Sequence, residues 1–231
     1  MDWTSYPVSP QKWERNLKSN NTTVLCCSIR RPAFSNTGKL QRMERYFAHL
    51  ALVWQTRWEN ELYRQARQAF ADRTDRDTAP PWQATLDYQI TYWNPPFLSM
   101  RIDIQEHRPT NPPTLLCIGE VWDCSSGYPC PLHAFLPEKT RRWKHTVIEQ
   151  LQEQAQMRLN SGETLLHQNC PAEIEQTFDP DRFYLNEDGL VIFYPLYSLG
   201  AYSEGIPTFT IPLQAQIQSN KFRALSSTAQ R

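Results

Sequence analysis

The sequence predicts an α+β fold: an antiparallel β-sheet packed against one long and one shorter α-helix. Three observations carry this prediction. Residues 82–93 and 97–107 alternate apolar and polar side chains in two consecutive runs. Residues 35–73 repeat apolar side chains at steps of three and four. Residues 138–159 do so again over a shorter span. A strand repeats every two residues and a helix every 3.6, so the two patterns separate cleanly.

Residues 1–21 are polar and proline-spaced and read as an N-terminal extension, with Trp3, Tyr6 and Trp13 as anchors. TTVLCCSIRR (22–31) reads as the first strand, with Leu25, Cys27 and Ile29 alternating until Pro32. Cys26 and Cys27, as neighbours, point to opposite faces, which makes at least one of them a small buried hydrophobe. The long helix follows, its stripe formed by Leu40, Met43, Phe47, Leu50, Trp54, Trp58 and Leu62. Arg45, Arg57, Glu59 and Arg64 take the remaining circumference, and DRTDRDTAPP ends the helix in a polar loop.

In WQATLDYQITYW, Leu86, Tyr88, Ile90 and Tyr92 alternate with Thr85, Asp87, Gln89 and Thr91. After NPP, Leu98, Met100, Ile102 and Ile104 alternate with Ser99, Arg101 and Asp103. Both are half-buried antiparallel strands, and TLLCIGEVWD (114–123) completes a three-stranded meander. CSSGYPCPLHAFLP is a compact turn region. The second helix follows, with Trp143, Val147, Leu151 and Ala155 four apart and Glu138 placed four before Arg142. CPAEIEQTFDPDR holds a short helix. No repeat or low-complexity linker interrupts the chain, so residues 22–215 read as a single α+β domain and 216–231 as a flexible C-terminal tail.

The segment FYLNEDGLVIFYPLYSLGAYSEGIPTFTIPL (183–213) closes the fold. NEDG between two apolar runs is a hairpin signal, because Asn and Asp tolerate turn geometry and Gly189 accepts positive φ. Pro195 ends the second strand, and TFTIP, bounded by Pro207 and Pro212, fits a sheet edge. Between them lie Tyr194, Tyr197, Tyr202 and Glu204, the candidate binding residues: amphipathic aromatics favour surfaces that take a sugar or a protein. The alternative is a packed corner whose hydroxyls bond backbone and whose Glu204 is solvated.

Composition removes several function classes. Lys+Arg and Asp+Glu both number 24, so no broad basic face for nucleic acid or anionic membrane is expected, though Arg141, Arg142 and Lys144 form a local patch. Glycine is scarce at 7 residues, which argues against glycine-rich phosphate loops. The six cysteines include no C-x-x-C pair, and Cys124, Cys130 and His133 match no common ligand spacing, so neither metal nor cofactor is expected. The start of the chain has no apolar h-region, and no run of about 18 apolar residues occurs. As written, the sequence reads as cytoplasmic, without signal peptide or membrane span.

No histidine pair has metalloprotease spacing, and no nucleophile elbow, P-loop or dinucleotide fingerprint occurs. His49, beside the apolar stripe, reads as a core histidine. Glu106 and His107 are candidates for an acid/base pair with Asp87 or Asp103, but the surrounding alternation favours a solvated sheet face. No catalytic residue is assigned.

Phe183, Leu185, Gly189, Leu190, Tyr197, Ala201, Tyr202, Gly205, Phe209, Ile211 and Pro212 resemble the closing motif of a domain of unknown function. That domain is shared by lysozyme-sensing anti-sigma factors of the RsiV type and peptidoglycan deacetylases of the PdaC type. LSMRIDIQEH resembles the family strand that begins Leu-Ser, and GYPCPLHAFLP the link into the second helix. HRPTNPPT stands where the family often has a Gly-Gly-Ala-His loop. The resemblance implies a noncatalytic, extracytoplasmic α+β module of the cell envelope that binds a lysozyme-like protein or a cell-wall glycan. Direct inhibition of a sigma factor and deacetylation are not implied, because the segments that perform them are absent from this sequence. The competing expectations are a small cell-wall hydrolase with carboxylates on the open sheet face, and a structural or oligomerising unit.

Overall fold

The computed structural model describes residues 7–72, 80–109, 111–136 and 142–213. Trp3, Tyr6, residues 73–79 of the polar loop, Glu138, Arg141 and the tail at 216–231 lie outside the described residues. The fold is α+β, as the sequence predicts, with a sheet dominated by antiparallel pairing. Six strands hydrogen-bond in the order β1-β2-β3-β4-β5-β6: Val8–Ser19, Thr22–Phe34, Trp82–Asn94, Phe97–His107, Thr114–Asp123 and Tyr128–Pro129. A second sheet has the order β7-β8-β9: Phe183–Leu185, Gly189–Phe193 and Thr208–Pro212. The chain divides into two compact units, Met1–Gln89 with Ile102–Leu116, and Ile90–Arg101 with Cys117–Arg231.

In the first unit, residues 8–19 form a strand within the stretch read as an extension, so TTVLCCSIRR belongs to the second strand rather than the first. Ser19 pairs with Thr22 across Asn20 and Asn21, both at positive φ (48° and 67°). Positive φ at both central residues is the type I′ hairpin turn, which asparagine tolerates better than other side chains. β2 and β3 are parallel, from Leu25↔Trp82 to Ile29↔Leu86, an exception to the antiparallel sheet expected. A parallel pair needs a long crossover. Here the connection is the helical run α1 (Leu40–Arg57), a π-helical turn (Trp58–Leu62) and α2 (Tyr63–Ala71).

Met43, Phe47, Trp58, Leu62 and Ala66 of that run are buried, whereas Leu40, Leu50 and Trp54 are half-buried. Trp58, Leu62 and Ala66 are four apart, a step at which a 3.6-residue helix drifts about 40° per turn. The wider π turn absorbs that drift and keeps all three on one face. Phe47 stacks on Phe34 of β2 at 5.5 Å between ring centroids. Val24, Leu25, Cys27 and Ile29 supply the buried side of β2. His49 is exposed, against the core position expected for it, because it lies on the opposite side of the helix from Met43 and Phe47.

The second unit is built on α3 (Trp143–Ser161), α4 (Cys170–Thr177) and the three-stranded sheet. Val147, Leu151 and Ala155 of α3 join Ile174, Leu190, Ile192 and Phe209 in one apolar core. The predicted hairpin is present, with Leu185 opposite Leu190. Its turn is held by Asn186, whose Oδ1 accepts the N–H groups of Asp188 and Gly189 at 3.0 and 2.9 Å.

β9 is an edge strand, as its flanking prolines predict. Gln154 and Arg158 of α3 donate to the carbonyls of Thr210 and Thr208 at 3.0 and 2.8 Å. Those carbonyls would otherwise offer an open pairing edge. On the meander strands, Leu86, Leu98 and Ile102 are buried as the alternation requires, and Ile90 is half-buried. Ser99, assigned by alternation to the polar side, is instead fully buried.

Candidate functional site

The aromatic corner of the second unit begins where β8 ends. Tyr194 is only 1 % exposed, so it cannot serve as part of an exposed platform. Its N–H donates to Pro207 O at 2.9 Å, its ring meets Phe209 edge-on, and its hydroxyl lies 3.3 Å from Ile174 O. Burial pushes its phenol above the ordinary tyrosine value. Tyr194 is buried, against the surface position expected for it, because it continues the inward face of β8 into the apolar core.

The chain then turns over Pro195, whose carbonyl accepts both the N–H and the hydroxyl of Ser198 at 3.1 and 2.6 Å. Tyr197 sits inside this turn at φ 68° and is 57 % exposed. A non-glycine residue in that region is strained by its Cβ, and such strain clusters at functional surfaces. A 3₁₀ turn, Tyr202–Glu204, follows and lays Tyr202 beside Tyr197, with ring centroids 5.6 Å apart and planes tilted by 37°.

Glu204 is not a free surface charge. Its Oε2 accepts the Leu165 N–H at 2.6 Å and its Oε1 the Thr164 hydroxyl at 3.1 Å. The same connection carries Ala201 N–H to Leu165 O (3.2 Å), His167 N–H to Leu199 O (2.8 Å) and an isolated bridge between Leu166 and Gly200. Close approach requires glycine at position 200, because a Cβ there would stand 2.9 Å from Leu165 O. Leu165 is thereby fixed next to the corner while 53 % exposed. Sequence reading missed it. A leucine in a polar turn after a helix has no periodicity to mark it; its bonds to Glu204 and Ala201 place it here.

The corner therefore offers two adjacent tyrosine rings with an apolar neighbour, on a turn held by a carboxylate whose two oxygens are both engaged.

The acidic residues singled out on the meander have other roles. Glu106 is 6 % exposed rather than on a solvated face, because Trp58 of the helical run covers it. It accepts from Arg57 Nε and Trp58 Nε1, both at 3.1 Å, and lies 4.0 Å from Arg108. Asp87 pairs with Arg30. Burial pushes the Cys124 and Cys130 thiols up to about 12. Among the described residues no three His, Cys, Asp or Glu side chains gather in a metal-binding group. Among the same residues no helix is long and apolar enough to cross a membrane.

Residues 135–214, a span that includes the whole corner, match a family described as "Protein of unknown function (DUF3298)". Two crystal structures share the fold. A DUF3298 family member from Bacteroides fragilis superposes with a TM-score of 0.59 at 14 % identity, over 89 % of this chain and 90 % of that one. A DUF3298 family protein from Pseudomonas aeruginosa superposes with a TM-score of 0.54 at 16 % identity, over 89 % and 88 %. No curated protein matches the chain significantly. The chain thus carries a DUF3298 domain over residues 135–214.

Proposed function

We propose that the chain is a recognition module of the cell envelope that holds a lysozyme-like protein or a cell-wall glycan against the Tyr197–Tyr202 corner. The observation that carries this reading is the pair of adjacent tyrosine rings, with Tyr197 held exposed at positive φ. An exposed tyrosine backed by a half-buried one contributes large contact area at little entropic cost, which is the profile of interface hot spots. Glu204 acts as a positioning group that fixes the turn under the rings. Resemblance of the closing motif to that of the RsiV and PdaC types supports the same class of partner.

The test is calorimetric titration of the chain with lysozyme and, separately, with soluble muropeptides. Heat with one of them is expected, weakened at least tenfold by Tyr197→Ala or Tyr202→Ala, a loss of about 1.4 kcal/mol. Glu204→Gln should weaken binding less, because it keeps an acceptor for Leu165. No heat with either ligand, or unchanged affinity in both tyrosine variants, would sink the proposal.

A further inference from the structure

We propose that two copies of this chain associate through β1, joining their six-stranded sheets edge to edge in an antiparallel register centred on Trp13. β1 ends its sheet, with β2 as its neighbour among the described residues. Pro10 lies opposite Pro32, and neither has an N–H, so that pair exchanges no hydrogen bonds. Bonded and non-bonded pairs alternate along an antiparallel ladder. Lys12, Glu14 and Asn16 therefore also direct their N–H and C=O groups away from β2, toward the open edge. All three are exposed.

A second β1 can pair only if outward residues meet outward residues, which places the two-fold axis on a residue and not between two. Charge then selects the register. An axis on Glu14 opposes two glutamates, one on Lys12 opposes two lysines, and one on Arg15 opposes two arginines. An axis on Trp13 sets Lys12 against Glu14 twice, and Asn16 N–H against Pro10 C=O twice. It also brings the two Trp13 rings together as a non-bonded cross-strand pair, the closer of the two pair types.

Charged residues on an edge strand usually repel a second strand. Here their order favours the Trp13 register: an axis on Asn16 also sets Glu14 against Lys18, but within Val8–Ser19 it pairs only residues 13–19, whereas the Trp13 axis pairs 8–18. The joined sheets leave room for the helices. Each α1 packs over β2, so the two helices stand three strand spacings apart, about 14 Å, more than the 8–10 Å that helices need. The ion pair between Arg15 and Glu59 stays within each copy.

Sedimentation equilibrium of the full chain tests this, with Lys12→Glu, Glu14→Lys and the double charge swap. The parent should dimerise. Each single reversal replaces two attractive pairs with two repulsive ones and should weaken the dimer about tenfold or more. The double swap should restore it. Unchanged circular dichroism and melting temperature will show that each variant folds. A parent that stays monomeric up to hundreds of micromolar, single reversals without effect, or a swap that fails to rescue would each overturn the proposal. The experiment does not depend on the tyrosine corner, which lies in the other unit.

Discussion

Ser99 Oγ accepts the Leu185 N–H at 2.8 Å, and the two residues are 86 positions apart. The same hydroxyl shares a 3.0 Å hydrogen bond with Thr91. A strand residue that alternation assigns to solvent is thus what satisfies a buried amide of β7, within the unit that carries the tyrosine corner.

Ser99→Ala should cost about 1–3 kcal/mol, because it strands a buried N–H and not merely because it removes one hydrogen bond. Thr91→Val should cost less, since Ser99 keeps Leu185. Urea denaturation of both variants measures the difference. Equal midpoints for Ser99→Ala and the parent would show that the bond contributes nothing.

Most elements were legible because their signals are local. The helix stripe around Phe47, the meander at Leu86 and Leu98, and the NEDG hairpin each obey a period or a turn rule. β1 was missed for a physical reason. Exposed except for the half-buried Val8, Trp13, Leu17 and Ser19, it shows no regular alternation, and its one local mark is the Asn20–Asn21 pair at positive φ. The parallel β2–β3 pairing is set by a crossover that no strand sequence encodes. At the site, Tyr197 and Tyr202 were legible as aromatics in a turn. The burial of Tyr194 and Glu106 depends on what packs over them, which pattern alone does not carry.

Glu106→Ala should destabilise the chain by about 2–3 kcal/mol, since it leaves the Trp58 N–H and one side of Arg57 unpaired. Arg57 is 40 % exposed, so water recovers part of its loss. Glu106→Gln keeps an acceptor and should cost less than half as much. Thermal or urea unfolding of the two variants separates lost charge from lost acceptor. Equal costs would mean that charge, not the acceptor, matters.

Stability should also fall in acid through Glu44. Burial alone would raise this carboxyl, but hydrogen bonds from Arg31 and from the Phe34 N–H outweigh it and hold the group below its ordinary value of 4.5. A depressed carboxylate stabilises the fold above the unfolded value, and that contribution disappears as pH falls through the folded one. The parent should exceed Glu44→Gln by about 1–2 kcal/mol near pH 6, with the gap closing below the ordinary value. A gap independent of pH from 6 to about 3 would contradict the assignment.

Thiol chemistry offers a separate check on burial. Cys27, Cys124 and Cys130 are pushed up to about 12 and Cys170 to about 11, in each case chiefly by burial. At pH 8 these groups hold on the order of 0.1 % thiolate or less, so iodoacetamide should spare them until urea unfolds the chain. Rapid alkylation of Cys27 in the native protein would mean that the β2 face opens.

Gly119 of β5 has no room for a side chain. A Cβ there would stand 2.0 Å from Phe183 O and 2.9 Å from the Phe193 ring, and real contacts essentially never reach the first distance. The obstacle is backbone, so no rotamer change relieves it; β5 or β7 must move. Gly119→Ala should therefore cost about 3 kcal/mol, although alanine normally stabilises a strand relative to glycine. For a chain of this size that cost corresponds to a melting temperature lower by about 6–12 °C. Because the strain acts through Phe183, adding Ser99→Ala should cost less than the sum of the two single variants: a displaced β7 has already loosened the Leu185 bond. Strict additivity, or a melting temperature within a degree or two of the parent, would show that the two strands do not approach this closely.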